Sequence, residues 1–402
     1  MKYKKILAGI LACAVMGVSL PCAPYILSVT EVSASEETEY TEASYGALTY
    51  HIYADYAVVA DCDEASAEVE IPSQIDNVPV TSIGELAFDD CTVLTKVVIP
   101  DTVTTISYGS FWGCESLNDI NIPNSVTFID KQAFLECNSL VSITIPASVT
   151  EMGVYVFSNC DSLEAIYVDD ENTAYCDFEG VLFDKAMTTL IRYPRAKKAS
   201  SYHIPHGVLY LDNGCFTDCE NLTEVILPES LEQLIYNTFT GCDNIKEFTV
   251  PKSVWRIGAS AFNCKGMTDI TIMNPDCVID DSTLTIANTF RGEYSYTGTI
   301  HGYEGSTAQA YAEKYGYSFM AISEPSTEPA EIVYGDADND GEVKMNDVIR
   351  VMLYSSNSNA YPLDEKALNA CDVYQRGDGV TLSDALSIQK MVTQIIRELP
   401  ES

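Results

Sequence analysis

The residues best placed for chemistry lie between positions 336 and 347. Asp336, Asp338, Asp340 and Asp347 occupy positions 1, 3, 5 and 12 of a twelve-residue loop, with Gly341 at the sixth position and apolar Val343 at the eighth. Calcium takes about six to eight hard oxygens at flexible distances, and four carboxylates, the Glu342 carbonyl and water can supply them around a turn that only Gly makes easily. Without a cation, carboxylates this close repel one another. A weaker copy begins 36 residues later: over 372–384, Asp372, Asp378 and Asp384 remain, while Tyr374 and Arg376 stand where oxygen ligands are expected. The pattern predicts bound Ca2+, one ion at the first loop and a second at the degenerate loop.

Other chemistry has no comparable signal. The chain contains no HExxH, no GxSxG, no phosphate-cradling glycine loop and no Cys with a plausible His partner; His51, His203, His206 and His301 are scattered. With 59 acidic residues, carboxylate pairs of the kind used in glycoside hydrolysis arise by number alone. The expectation is a protein that is not an enzyme. Tyr50, Tyr53, Tyr56, Tyr167, Tyr193, Tyr202, Tyr210 and Trp255 could stack on sugar rings or on a protein partner, or be ordinary half-buried strand residues.

Each loop runs directly into a helical pattern, over 348–354 and over 385–396, the second with Leu386, Ile388, Met391, Val392 and Ile395 as its apolar positions. Upstream, residues 323–333 are rich in Ser, Glu, Pro and Thr, which predicts an extended linker.

The rest of the chain is periodic. Cys91, Cys114, Cys137 and Cys160 recur every 23 residues, as do Phe88, Phe111, Phe134 and Phe157, and Leu94, Leu117, Leu140 and Leu163. Ile83, Ile106, Ile129 and Met152 share the period, which resumes with Leu211, Leu234 and Ile257 and with Phe216, Phe239 and Phe262. Such a repeat predicts a solenoid of seven units in which each coil buries its apolar side chains only against its neighbours. The unit ends in Ile-Pro (Ile99, Ile122, Ile145), where the missing N–H of Pro stops a strand, and the Phe segment returns along another side. A ladder of single Cys without paired Cys or His at ligand spacing reads as buried thiols, with Cys62, Cys176, Cys215 and Cys277 left as candidates for a disulfide.

Between Val168 and Ile204 the spacing stretches to 36 residues, and 180–183 with 188–194 form a predicted β-hairpin inserted near 170–203. A second hairpin, 48–53 with 56–59, is expected to cap the first coil within a region spanning 35–82. A helix over 306–314 followed by 317–322 would close the last coil, in a cap near 299–322 of a solenoid running 83–322.

Lys2, Lys4 and Lys5 precede an uncharged apolar run over 6–20, and Val32-Ser33-Ala34 offers small residues for cleavage, so 1–34 is expected to be a secretory signal peptide and the mature chain secreted. No later segment is long and apolar enough for a membrane span. A net charge of -37 repels polyphosphates and excludes nucleic acid as a partner.

The 23-residue unit resembles the BspA-like leucine-rich repeats of bacterial surface proteins over most of residues 70–322, which implies an adhesive or protein-binding surface. The last segment, 334–402, with two calcium loops each leading into a helix, resembles a type I-related dockerin of the kind found in ruminococcal cellulosomes. That likeness implies a cohesin module of a scaffoldin as partner. It also implies a contact surface where each loop meets its helix, at Met345, Asn346, Ile349 and Arg350 in the first half and Leu382, Ser383, Leu386 and Ser387 in the second. The fold class expected is a leucine-rich-repeat solenoid, mainly β with short helical or irregular returns, plus a small all-α calcium-binding dockerin module. The expected function is a secreted binding or adhesion subunit whose solenoid presents a surface to a protein or a plant-cell-wall polysaccharide. The alternative is a cellulosomal hydrolase or peptidase with an atypical site on the solenoid.

Overall fold

The computed structural model describes residues 39–290, 293–323, 334–338 and 342–356, and scattered positions between 361 and 389. The periodic region is a β-solenoid with two parallel ladders per coil. One runs through the Ile phase: Val78–Ile83, Thr105–Ile106, Phe128–Ile129 and Glu151–Met152 place Ile83, Ile106, Ile129 and Met152 in direct register. The other runs through strands that end at Ile-Pro, such as Lys96–Val98 beside Asp119–Asn121 and Ser142–Ile145 beside Ala165–Val168. Only this second ladder was expected from the unit. Two-residue strands are too short to show an alternating pattern, so the Ile phase reads in the sequence as core alone.

Inside the coils, the phenylalanines stack at nearly the strand spacing. Phe88 and Phe111 have ring centroids 4.9 Å apart at 15°, Phe111 and Phe134 5.2 Å at 4°, and Phe134 and Phe157 5.7 Å at 11°. Tyr193 occupies the same phase after the interruption, 5.1 Å from Phe216, and is fully buried. The turns beside these rings use left-handed backbone twice per coil. Asp90, Gly113, Glu136 and Asn159, each just before the ladder Cys, have φ of 57°, 69°, 61° and 55°. Asp, Gly and Asn tolerate that region; Glu136 does so at a cost of about 1–3 kcal/mol held by the surrounding coils.

The ladder cysteines are free, buried thiols. They also do more than fill space. Cys114 Sγ donates to the Phe88 carbonyl at 3.1 Å, Cys137 to Phe111 at 3.3 Å, Cys160 to Phe134 at 3.1 Å, Cys242 to Phe216 at 3.0 Å and Cys264 to Phe239 at 2.9 Å. Each of these carbonyls faces the next coil inside the core, and the thiol supplies a donor where an alkyl group could not. Burial pushes the Cys137 thiol well above its ordinary range, which keeps it protonated and donating.

Both departures from the repeat are three-stranded antiparallel meanders rather than hairpins. At the start, Thr41–Tyr45, Leu48–Ile52 and Ala57–Cys62 pair in order, and the third strand runs parallel to Val78–Ile83. In the interruption, Tyr175–Phe178, Val181–Asp184 and Thr189–Arg192 do the same, and the third strand runs parallel to Tyr210–Leu211. The central strand of this second meander is buried on both faces: Leu182 joins the apolar core of the preceding coils, Val181 and Phe183 the core of the following ones. The strand alternation thus divides one solenoid into two cores.

Helix Thr307–Tyr315 lies beside Thr299–Gly302, with Ser306 accepting from the Gln309 amide as N-cap and Gly316 in the left-handed region as C-cap. Strand Ser318–Ala321 then pairs parallel to Thr299–Gly302. Among the described residues, no helix is long and apolar enough to cross a membrane.

Candidate functional site

Residues 334–338 and 342–344 precede helix Met345–Ser356. Carboxylate oxygens of Asp336, Asp338 and Asp347 lie within 4.8 Å of one another. Asp336 and Asp347 are 2% and 1% exposed. Asp347, in the first turn of the helix, accepts from the amides of Ala337 at 2.7 Å and Asp338 at 3.2 Å through Oδ1, and from Lys344 at 2.7 Å through Oδ2. The last bond is half of a capping box, a side chain three residues into the helix reaching back to its start. Asp347 therefore folds the loop onto the helix and still leaves lone pairs facing Asp336 and Asp338. The donor set is hard oxygen throughout, which fits calcium or a similar cation. Glu342 is exposed and pairs with Lys344 at 2.6 Å. Asp340 lies outside the described residues, as do Asp372 and Asp378 of the second loop.

The remaining second-loop carboxylate, Asp384, is fully buried and accepts from the Thr381 amide and hydroxyl, both at 2.8 Å. This repeats the three-residue reach of Asp347 to Lys344. Val348, Val351, Cys371, Ala385 and Ile388 form one small core between them. Cys371 was missed by reasoning from motifs: burial first, then the nearby charges of Asp347, Asp336 and Asp384, push its thiol up to about 12, so it stays protonated beside the carboxylates.

Of the residues expected to meet a partner, Met345, Asn346, Ile349 and Leu386 are exposed and Arg350 is half-buried. Leu382, Ser383 and Ser387 lie outside the described residues. Met352 and Leu353 are exposed as well and were not anticipated; Met345, Ile349 and Met352 fall at i, i+4 and i+7 and so line one apolar face of the helix.

On the solenoid, Tyr167, Tyr210 and Trp255 are exposed, whereas Tyr50, Tyr193 and Tyr202 are core residues and Tyr53 and Tyr56 are half-buried. Tyr50 follows Leu48 at inward spacing on an alternating strand, and that phase was the available signal. Tyr236, more than half exposed, was not singled out. One groove of about 530 Å³ opens at the ends of the Ile-Pro strands, lined by Asp101, Asn121, Asn124, Ser125, Thr144 and Asp169 above the prolines.

The pattern of the BspA type Leucine rich repeat region matches residues 62–178 and 194–288, in six copies. A leucine-rich repeat protein from Eubacterium ventriosum is 22% identical in sequence, with 65% of this chain and 78% of that one superposed at a TM-score of 0.51. A leucine rich cell surface protein from Faecalibacterium prausnitzii is 21% identical over 59% of this chain and 90% of that one, at a TM-score of 0.40. A xylanase/beta-glucanase from Ruminococcus flavefaciens is 37% identical over 102 residues, 21% of this chain and 13% of that protein, so the chain spans about an eighth of that relative's length. Because the repeat pattern covers more than half of the sequence, this chain belongs to the BspA type leucine rich repeat family.

Proposed function

We propose that the protein is a secreted, non-catalytic binding subunit: its repeats present a recognition surface, and its segment 334–402 is a calcium-dependent dockerin that attaches it to a cohesin on an extracellular scaffoldin. The observation that carries the reading is the convergence of Asp336, Asp338 and Asp347 at the start of a helix whose exposed face is the apolar stripe of Met345, Ile349 and Met352. A cation there would neutralise the carboxylates and fix the helix, coupling ion binding to the presentation of that stripe. Two ions are expected, with Asp384 contributing to the second. The stretch shared with a protein named as a xylanase/beta-glucanase amounts to 13% of that protein, so its activity is not carried over to this chain.

The test is capture of the full chain by immobilised cohesin modules. Retention in calcium and release by a chelator are expected, with Ile349→Asp abolishing retention while the chain stays folded. Retention unaffected by chelator would overturn the dockerin reading. Turnover of polysaccharides or casein by the same preparation, abolished by one carboxylate substitution on the solenoid, would replace it with a hydrolase or peptidase.

A further inference from the structure

The groove beside the Ile-Pro strands gathers polar side chains from four successive coils around one space. Its Ser125 hydroxyl is consumed internally, donating to the Val103 carbonyl at 2.6 Å, as on the same coils Ser148 donates to Val126 at 2.6 Å and Thr104 to Thr81 at 3.3 Å. Lys96 and Asp119 neutralise each other at 2.6 Å. The other polar side chains lining the groove, those of Asp101, Asn121, Asn124 and Thr144, make no hydrogen bond or ion pair among the described residues, and Asp169 commits only Oδ1, to the Glu171 amide at 2.9 Å. Two carboxylates, two amides and a hydroxyl therefore converge on one space of about 530 Å³ with donors and acceptors unspent, over a floor of Ile122, Pro123 and Pro146.

The ladder column that runs through the groove adds a stacking surface. Val98 pairs with Asn121, Thr144 stands one repeat further on, and Thr144 pairs with Tyr167, whose side chain is 50% exposed. Successive strands are about 4.8 Å apart, so this column offers an apolar contact, an amide, a hydroxyl and an aromatic face at regular steps, each close to the length of one pyranose ring. Vicinal hydroxyls of a sugar both donate and accept. Asp and Asn match that demand in pairs, and an aromatic face matches the C–H side of the ring. A net charge of -37 disfavours a polyanion, and with it any glycan rich in carboxylates or sulfates.

We propose that this groove, from Asp101 to Asp169 with Tyr167 at its edge, is a binding site for a neutral glycan chain lying across the coils. The inference rests on the reading of the solenoid as a recognition surface and names its ligand class and place. Asn121 and Asn124 hydrogen-bond sugar hydroxyls, Asp101 and Asp169 accept from them at the two ends, and Tyr167 stacks on the terminal ring.

Affinity electrophoresis and calorimetry of the full chain with soluble arabinoxylan and mixed-linkage β-glucan test this, with polygalacturonate and oligolysine as charged probes. At least one neutral polymer is expected to retard the protein and polygalacturonate is not. Asn121→Ala with Asn124→Ala should weaken binding about tenfold through the loss of two hydrogen-bonding side chains. Tyr167→Ala should weaken it about three- to tenfold, Tyr167→Phe should preserve it, and Tyr236→Ala, at an exposed aromatic away from the groove, should leave it unchanged. All these positions are exposed, so thermal melts should match the parent. Failure of both neutral polymers to bind, equal binding by the groove variants, or oligolysine binding that the Asn pair abolishes would each overturn the proposal. None of these substitutions touches 334–402, so cohesin capture with no glycan binding sinks this inference alone, and glycan binding without cohesin capture sinks only the dockerin reading.

Discussion

The coils between residues 83 and 290 and the loop at 336–347 solve opposite problems. In the coils each buried group meets a partner of its own kind from the next repeat: Phe stacks on Phe, Ile on Ile, and a thiol reaches the carbonyl that stacking would otherwise leave with one donor. In the loop, buried groups of like charge are brought together, Asp336 and Asp347 among them, and the surrounding core is a handful of side chains. The coils gain stability from repetition alone. On the proposed reading the loop gains its stability from a bound cation.

The largest effect should follow from removing the ligands. Asp336→Ala combined with Asp340→Ala is expected to unfold 334–402 and leave the repeats intact, visible in hydrogen exchange as full loss of protection in helix Met345–Ser356 with no change in the coils. Protection retained in that helix would mean that its small core suffices without an ion.

Within the coils, Phe134→Ala should cost about 3–5 kcal/mol, because its ring is fully buried between Phe111 and Phe157 and neighbouring coils cannot collapse into the gap. Denaturant melts read it directly. Cys137→Ala should cost less, about 1–2 kcal/mol, for a smaller side chain and one hydrogen bond. The same account expects the ladder thiols to react with a thiol reagent only after denaturation; their full oxidation in the unreduced protein would contradict it.

The smallest effect is electrostatic. His301 Nε2 lies 2.8 Å from Asp269 Oδ1 across the ladder and holds that carboxyl below its usual range. A depressed folded pKa means a contribution present above the unfolded value of about 3.9 and lost as pH falls through the lower folded one. With the Asp269 side chain 44% exposed, the contribution should stay under about 1 kcal/mol. His301→Ala should raise the Asp269 carboxyl toward its ordinary range, read from the pH dependence of its NMR shift.

The comparison also explains what the sequence made legible. The 23-residue period carried the solenoid because every coil restates the same burial, so Phe88 or Leu94 is read many times over. The approach of Asp336, Asp338 and Asp347 was legible because their spacing is local. Features seen only once were harder. Tyr193 takes the Phe phase, but the insertion ahead of it shifts the frame, and its neighbours Thr189–Arg192 serve both a meander and the Ile ladder. The thiol-to-carbonyl bonds need the partner coil's backbone, which no single repeat contains. The groove at Asn121 and Asn124 depends on side chains left without internal partners, which spacing cannot show.

Differential scanning calorimetry of the full chain, in calcium and in excess chelator, tests the central claim most directly. Two transitions are expected. One should move with calcium, by about 2.7 kcal/mol of stability at a hundredfold excess over Kd, while the transition of the coils stays fixed. A scan in which neither transition moved, or in which both moved together, would contradict the account.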